Sequence, residues 1–255
     1  MQNYSTSEVG RVVGLHPNTV RLYEELGLIP KPSRKENGYR IFTEFHIAQI
    51  QFTRLALQVE VLQSGLRKKV IEIIRSSAVG EFSQAKILCE QYILQLQEEK
   101  RKALEAIEIA NGWRKKAKEE RTSGKTVYKR KEAAEMLDVT MDALRNWEMN
   151  GLLTIKRSMN GYRVYTDEDL NRLRLIRTLR YGNYSLSAIL RMLGKLEDNP
   201  EIDLLQAINH PDDEEDFVSV CDRLVTSLQM AEHNIMEMRK KIRLLEKIYK
   251  ENPPL

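Results

Sequence analysis

At 255 residues the chain is longer than one average domain and shorter than three. Charged residues make up 31% of it, hydrophobic ones 42% and aromatics 7%, a profile that long soluble helices produce and that excludes a collagen, a disordered tail and a disulfide scaffold. No apolar run approaches the roughly 18 residues of a membrane span, and no basic segment leads into an apolar one at the start, so the expected location is the cytoplasm. Two cysteines, Cys89 and Cys221, and histidines at 16, 46, 210 and 233 give no cluster with metal-ligand spacing; no metal and no other cofactor is expected. The net charge of +4 divides into +4 over residues 1–75, +1 over 76–124, +6 over 125–195 and −7 over 196–255. Two basic blocks on a more neutral or acidic scaffold point to two polyanion-binding modules.

In chain order, Ser5 is a polar cap opening a short amphipathic helix to about Val13. Gly14-Leu15-His16 interrupt it, and Pro17 sits where a second helix begins, its fixed φ suiting a first helical turn. That helix, about 17–26, ends at Gly27, which suits the left-handed conformation after a helix C-terminus. A basic loop, Lys31-Pro32-Ser33-Arg34-Lys35, leads to Asn37-Gly38, the strongest short hairpin signal. A helix-turn-helix followed by a hairpin bearing Arg and Lys is a winged helix, whose second helix and wing meet adjacent grooves or phosphates. Thr43 caps a third helix, closing a first domain over 1–82. Residues 83–121 have helical composition, and 122–126 form a short Ser-Gly linker.

The pattern then restarts. Tyr4 to Glu8 aligns with Tyr128 to Glu132, Val20-Arg21-Leu22-Tyr23-Glu24 with Leu144-Arg145-Asn146-Trp147-Glu148, and Gly27-Leu28-Ile29 with Gly151-Leu152-Leu153, all at an offset of 124. After one deletion, Asn37-Gly38-Tyr39-Arg40 aligns with Asn160-Gly161-Tyr162-Arg163 at 123, and Thr43 with the cap Thr166. The second domain covers 127–195. An acidic connector, 196–213, and a second long helix, 214–251, complete the chain; nine acidic and no basic residues between 196 and 216 read as a solvated connector with an acidic helix start.

Arg-x-Tyr/Trp-Glu-x-x-Gly-Leu followed by the Asn-Gly-Tyr-Arg wing resembles the MerR family of bacterial transcription regulators, over residues 4–75 and 127–195. The resemblance implies an N-terminal winged helix, a long helix that pairs antiparallel with a partner's, and usually a C-terminal effector domain, of which only the first two parts are visible. The fold class expected is mostly α with small β-hairpin wings: two winged helix-turn-helix domains, each followed by a long coiled-coil helix.

In the second long helix apolar residues recur at 221, 224, 228, 231, 235, 238, 242, 245 and 249, the three-four spacing of a coiled-coil seam. The matching seam of the first runs through Cys89, Tyr92, Leu96, Glu99, Ala103, Ala106, Ala110, Trp113 and Ala117. Small residues at its centre are expected to admit Ile235, Met238 and Ile242, with Met230 and Met236 as seam or neighbouring packing. Each helix is roughly 57 Å long at 1.5 Å per residue, enough to hold two modules apart. The arrangement expected is an antiparallel pseudo-dimer within one chain; a homodimer with four modules is the alternative.

On the second helix of each module, side chains near its N-terminus read base edges while most other contacts position the protein on phosphates. The candidates are His16, Asn18, Thr19, Arg21 and Tyr23, and in the second copy Thr140, Asp142, Arg145 and Trp147. The resemblance favours Arg21 and Arg145 in the major groove, with the aromatics either on phosphates or in the core. Wing candidates are Arg34, Lys35, Tyr39 and Arg40, then Arg157, Tyr162 and Arg163. Because the two reading surfaces differ, the expected operator is asymmetric, with the first copy contributing more base-specific affinity.

The expected function is a sequence-specific transcription regulator that binds double-stranded promoter DNA, distorts it and acts through RNA polymerase; the resemblance implies this last step. Either constitutive action or a small-molecule effector between coil and modules is open. The alternative is an architectural protein that bridges DNA in the nucleoid. No phosphate-cradling glycine loop, nucleophile constellation or carboxylate pair marks an enzyme.

Overall fold

A computed structural model describes residues 3–58, 65–119, 126–158, 160–209 and 223–251. The Thr122-Ser123-Gly124-Lys125 linker, the acidic run 212–216, Cys221 and the last four residues lie outside them. The chain divides into two compact units, Met1–Gln97 with Ser227–Leu255, and Glu98–Thr226.

The first unit holds α1 (Thr6–Val13), α2 (Pro17–Glu25), β1 (Ser33–Arg34), β2 (Arg40–Ile41), α3 (Glu44–Ala56), α4 (Leu66–Ala78), the start of α5 (Phe82–Glu119) and most of α11 (Leu224–Glu251). Ser5 and Glu8 form a reciprocal capping box at the start of α1, and Gly14 ends it at φ 65°. Pro17 is the first residue of α2, and Val9, Val13, Val20, Ile29, Phe42 and Ile50 form the core beneath the two helices. β1 and β2 pair antiparallel, Ser33 with Ile41 and Arg34 with Arg40, as the hairpin signal requires.

Thr43 caps α3, but the residue that reaches back to its backbone amide is His46, whose Nδ1 accepts from the Thr43 N–H at 3.0 Å. His46 is 1% exposed, stands edge-on to Phe42, and burial lowers its pKa to about 4. The unfolded chain takes up this proton near pH 6.5 while the folded one resists until about pH 4. The unit is therefore expected to keep the full contribution above pH 6.5 and to lose on the order of 3 kcal/mol as pH falls to 4. Urea titrations at pH 7 and pH 4.5 check this; His46→Gln, which retains an acceptor at the capping position, flattens the difference.

Ion pairs between Lys86 and Glu246 at 2.6 Å and between Glu90 and Arg239 at 2.7 Å set an antiparallel register between α5 and α11 in this unit. Level with one another in that register are Cys89 and Ile242, Tyr92 and Met238, and Leu96 and Ile235, all buried. The residues opposite Ile235, Met238 and Ile242 are thus not the alanines expected there. Met238 belongs to the seam, whereas Met230 and Met236 are 56% and 51% exposed and do not pack into it. Burial pushes the Cys89 thiol up to about 12, so the native protein is expected to resist alkylation at Cys89 at pH 7.5. Peptide mass spectrometry reads this apart from Cys221, and rapid labelling of Cys89 would contradict it.

The end of α11 is seated on the winged helix of the same unit. The Tyr249 ring lies 5.0 Å from Phe45 and 5.4 Å from Phe82, both close to edge-on, and Asn234 donates to the Leu55 carbonyl at 3.0 Å. Gly80, at φ 81°, makes room: a Cβ there would stand 2.6 Å from the Tyr249 ring.

The second unit contains the rest of α5, β3 (Val127–Lys129), α6 (Arg130–Met136), α7 (Met141–Met149), β4 (Val164–Thr166), α8 (Asp167–Tyr181), α9 (Leu186–Asp198) and α10 (Leu204–Asn209). β3 pairs with β4, and an isolated Arg157–Arg163 bridge carries the hairpin on toward its tip. Thr166 caps α8 in a capping box with Asp169. The turn between α8 and α9 sits on the alanine stripe of α5. A Cβ on Gly182 would fall 2.6 Å from Ala106 Cβ and 3.3 Å from the Lys102 carbonyl, and the Tyr184 hydroxyl donates to the Ala103 carbonyl at 3.3 Å. Small residues at Ala103 and Ala106 therefore admit the second winged helix. Further along, Arg174 stacks over Trp113, and Arg114 donates to the Ile202 carbonyl at 2.6 Å. The stretch 196–209 is not merely a solvated connector: α9 reaches Asp198, and α10 buries Leu204, Ala207 and Ile208.

Candidate nucleic-acid interface

The two modules are built from the same structural devices. His16 caps α2, its Nδ1 accepting from the Asn18 N–H at 3.2 Å, which leaves the ring proton of the neutral form on Nε2 as a donor. Asn18 and Arg21 are exposed one turn apart, and the Asn18 amide oxygen accepts from the Arg21 guanidinium at 2.7 Å, holding it in place. Thr19 is half-buried. In the second module Thr140 caps α7, its hydroxyl accepting from the Ala143 N–H at 3.0 Å, and Asp142 and Arg145 are exposed.

The aromatics of the reading helices pack inward. Tyr23 is half-buried against the core, and Trp147 is 7% exposed; of the two alternatives open from the sequence, Trp147 takes the core one.

Both wings close in the same way. Lys35 N–H donates to the Tyr39 carbonyl at 2.9 Å and Gly38 turns at φ 81°, with Ser158, Tyr162 and Gly161 repeating the arrangement. Arg34 donates to the Gly38 carbonyl at 3.2 Å and Arg157 to the Gly161 carbonyl at 3.4 Å, so each guanidinium stiffens its own wing. Lys35 stays exposed, and the wing tyrosines are the most open aromatics of their modules, Tyr39 at 70% and Tyr162 at 72% apart from the 74% of Tyr181.

Arg40 and Arg163 each have a partner within their own module. Arg40 pairs with Glu24 at 2.6 Å and Arg163 with Glu148 at 2.6 Å, each largely withdrawn from solvent. These pairs are struts that fix the wing to the reading helix. Sequence reasoning missed their partners, although the Glu follows the aromatic in both copies of the motif and so was visible as a repeated residue. A second pair of ties was also missed: Arg54 donates to the Val13 carbonyl at the end of α1, and its counterpart Arg177 pairs with Asp138 at 3.2 Å.

An exposed guanidinium on a helix N-terminal half can donate to guanine O6 and N7, and exposed wing lysines and tyrosines can reach phosphates. Among the described residues no group of three or more His, Cys, Asp and Glu could hold a metal ion, and no helix is long and apolar enough to cross a membrane.

Comparison with known proteins agrees with this surface. The family model described as MerR family regulatory protein matches residues 5–42, and that described as MerR HTH family regulatory protein matches 128–196. The HTH-type transcriptional regulator CueR of Escherichia coli O6:H1 is 43% identical over 53 residues, covering 21% of this chain and 39% of that protein. A Haemophilus influenzae protein named "Probable heavy metal-dependent transcriptional regulator" is 39% identical over 71 residues, 28% of this chain and 55% of that protein. The mercuric resistance operon regulatory protein of Bacillus cereus is 35% identical over 51 residues, 20% and 39% of the two chains. The chain thus spans between about two fifths and just over half of the length of these relatives. No solved structure matches it significantly. Each with its own helix-turn-helix and wing, the two modules in tandem are thus modules of the MerR family type.

Proposed function

We propose that the protein is a sequence-specific transcription regulator that binds double-stranded promoter DNA through both modules, as a single-chain pseudo-dimer, and distorts it for RNA polymerase. The observation that carries DNA binding is the exposed arginine on a strut-braced reading helix, present twice: Arg21 with the Arg40–Glu24 strut, Arg145 with the Arg163–Glu148 strut. Bracing matters because a wing held on its helix meets the backbone at a fixed distance from the groove and loses less entropy on binding.

The single-chain arrangement draws support from each unit taken by itself. In one, the end of α11 packs on the first winged helix through Tyr249; in the other, the later part of α5 packs on the second winged helix through Ala103 and Ala106. Each module so receives a helix end from the other half of the sequence, which is what a partner subunit supplies in a two-chain arrangement. Distortion of the duplex is energetically reasonable for such a two-module clamp.

Footprinting of the DNA upstream of the protein's own gene tests the reading, with expected protection of two adjacent groove segments. Arg21→Ala is expected to weaken binding by ~1–3 kcal/mol, and Lys35→Ala to lower the salt slope by about one without changing sequence preference. Broad occupancy in a genome-wide binding map, in place of a few promoter peaks, would favour DNA bridging instead.

A further inference from the structure

The duplication supplies an internal control: where the two modules share a backbone and differ in charge, the first module folds without the second's charge, even at Asp138, whose Arg177 pair at 3.2 Å is replaced in the first module by Arg54 on the Val13 carbonyl. Three exposed positions around the helix-turn-helix face change in the same direction. Arg11 is matched by Glu135, Gly14 by Asp138 and Asn18 by Asp142. The first replacement shifts the charge by two and the others by one each, so the second module's face is four charges more negative at these sites. Asp142 stands three residues before Arg145, on the same side of α7, where Asn18 in the first module accepts from the reading Arg21 without opposing the phosphates. A carboxylate there repels the DNA backbone that Arg145 would have to approach.

The start of the module changes the opposite way. Ser5-Thr6-Ser7 is matched by Lys129-Arg130-Lys131, with both lysines exposed. This exchange works against local stability. In the first module the Ser5 hydroxyl accepts from the Glu8 N–H, and the Glu8 carboxylate accepts from the Ser5 N–H at 2.7 Å. In the second, the Glu132 carboxylate still accepts from the Lys129 N–H at 2.7 Å, but an ammonium cannot accept, so half of the capping box is given up. The exchange brings two long ion pairs, Arg130 with Glu148 and Lys131 with Glu135, each at 3.9 Å and the second fully at the surface, where such a pair contributes little; a cap given up for so small a return points to function. The cations also border the wing: Lys129, Arg130, Lys131, Tyr162 and Arg163 line one cleft of about 870 Å³, against about 320 Å³ for the corresponding cleft of the first module.

We propose that the two modules divide the work on DNA, an inference that rests on the proposed DNA-binding function. The first reads sequence with Arg21 and Asn18. The second grips phosphates with Lys129, Lys131 and its wing, while Glu135, Asp138 and Asp142 weaken the contact of its reading helix. The chain's base discrimination then comes from one half of its binding site, and the other half tolerates many sequences.

The test uses a duplex enriched from a random pool by the full-length wild-type chain, and a scrambled duplex of the same composition, with binding read by fluorescence anisotropy over a range of salt. Arg21→Ala should cut the preference for the enriched duplex by about tenfold or more, and Arg145→Ala should leave it within about twofold. Lys129→Ser with Lys131→Ser, which restores the first module's cap and so should not unfold the second, is expected to keep the preference and flatten the salt slope by about one to two. Glu135→Arg with Asp138→Gly and Asp142→Asn copies a combination the first module already folds with, and should tighten binding to the scrambled duplex about fivefold at low salt. Equal losses of preference for the two arginine variants, or an unchanged salt slope for the serine variant, overturn the division of labour while leaving DNA binding intact. A pool that the wild-type chain fails to enrich overturns sequence-specific binding itself.

Discussion

Replacing Tyr249 with alanine is expected to destabilise the first unit by about 2–4 kcal/mol, the cost of emptying a largely enclosed aromatic site. The ring stands between Phe45 and Phe82, 5.0 and 5.4 Å away, and its outer edge lies over Gly80. Phe45 belongs to α3 and Phe82 opens α5, so the lost ring loosens the winged helix and the coil together. Hydrogen exchange on peptides covering 82–97 should rise along with the fall in global stability. Tyr249→Phe keeps the ring and should cost little. A loss below about 1 kcal/mol for the alanine variant would mean that the end of α11 is not a structural part of the first module.

Gly182→Ala is the matching experiment on the second unit, and its cost is expected to be about 1–3 kcal/mol. Gly182 has no positive φ, so a methyl group there meets no backbone penalty; the obstacle is Ala106 Cβ at 2.6 Å and the Lys102 carbonyl at 3.3 Å. Neither can swing aside as a long side chain would. Ala106→Gly opens the same space from the other side, at about 1 kcal/mol for a glycine within a helix. The double variant should recover part of the loss, giving a coupling energy of about 1 kcal/mol or more in a double-mutant cycle. Strict additivity would show that the α8–α9 turn does not rest on the alanine stripe.

Much of the fold was legible because its signals are local. The caps at Ser5, Thr43 and Thr166, the breaks at Gly14 and Gly27 and the Asn-Gly wings depend on a few adjacent residues, and the second copy repeats them. The coiled-coil seam of α11 was legible for a similar reason, since Leu228, Ala231, Ile235, Met238, Ile242 and Leu245 keep their spacing and are all buried. What covers a stripe of small residues is another matter. Ala103, Ala106 and Ala110 say that something approaches closely, and volume alone favoured another helix over the Gly182–Tyr184 turn. Helix α10 was hidden by the acidic residues around it, though Leu204, Ala207 and Ile208 have helical spacing.

The candidate site was legible in its exposed part. Arg21, Arg145, Lys35, Tyr39 and Tyr162 are open to solvent, as a reading helix and wing require. The struts were not legible, because Glu24 and Arg40 are 16 residues apart and meet only after the wing has folded back. His46 was passed over as well. It occupies the capping position that Asp169 holds in the second module, and its imidazole, neutral because it is buried, makes the cap sensitive to pH where a carboxylate would be far less so.

The central claim is that one chain brings two modules to one stretch of DNA. The mass of the protein–DNA complex, measured by sedimentation equilibrium on a duplex carrying a single footprinted site, tests it most directly. The account predicts one chain of 29.7 kDa per duplex, with the free protein also of that mass. Two chains per duplex, bound cooperatively at the lowest concentrations that give a footprint, would contradict it.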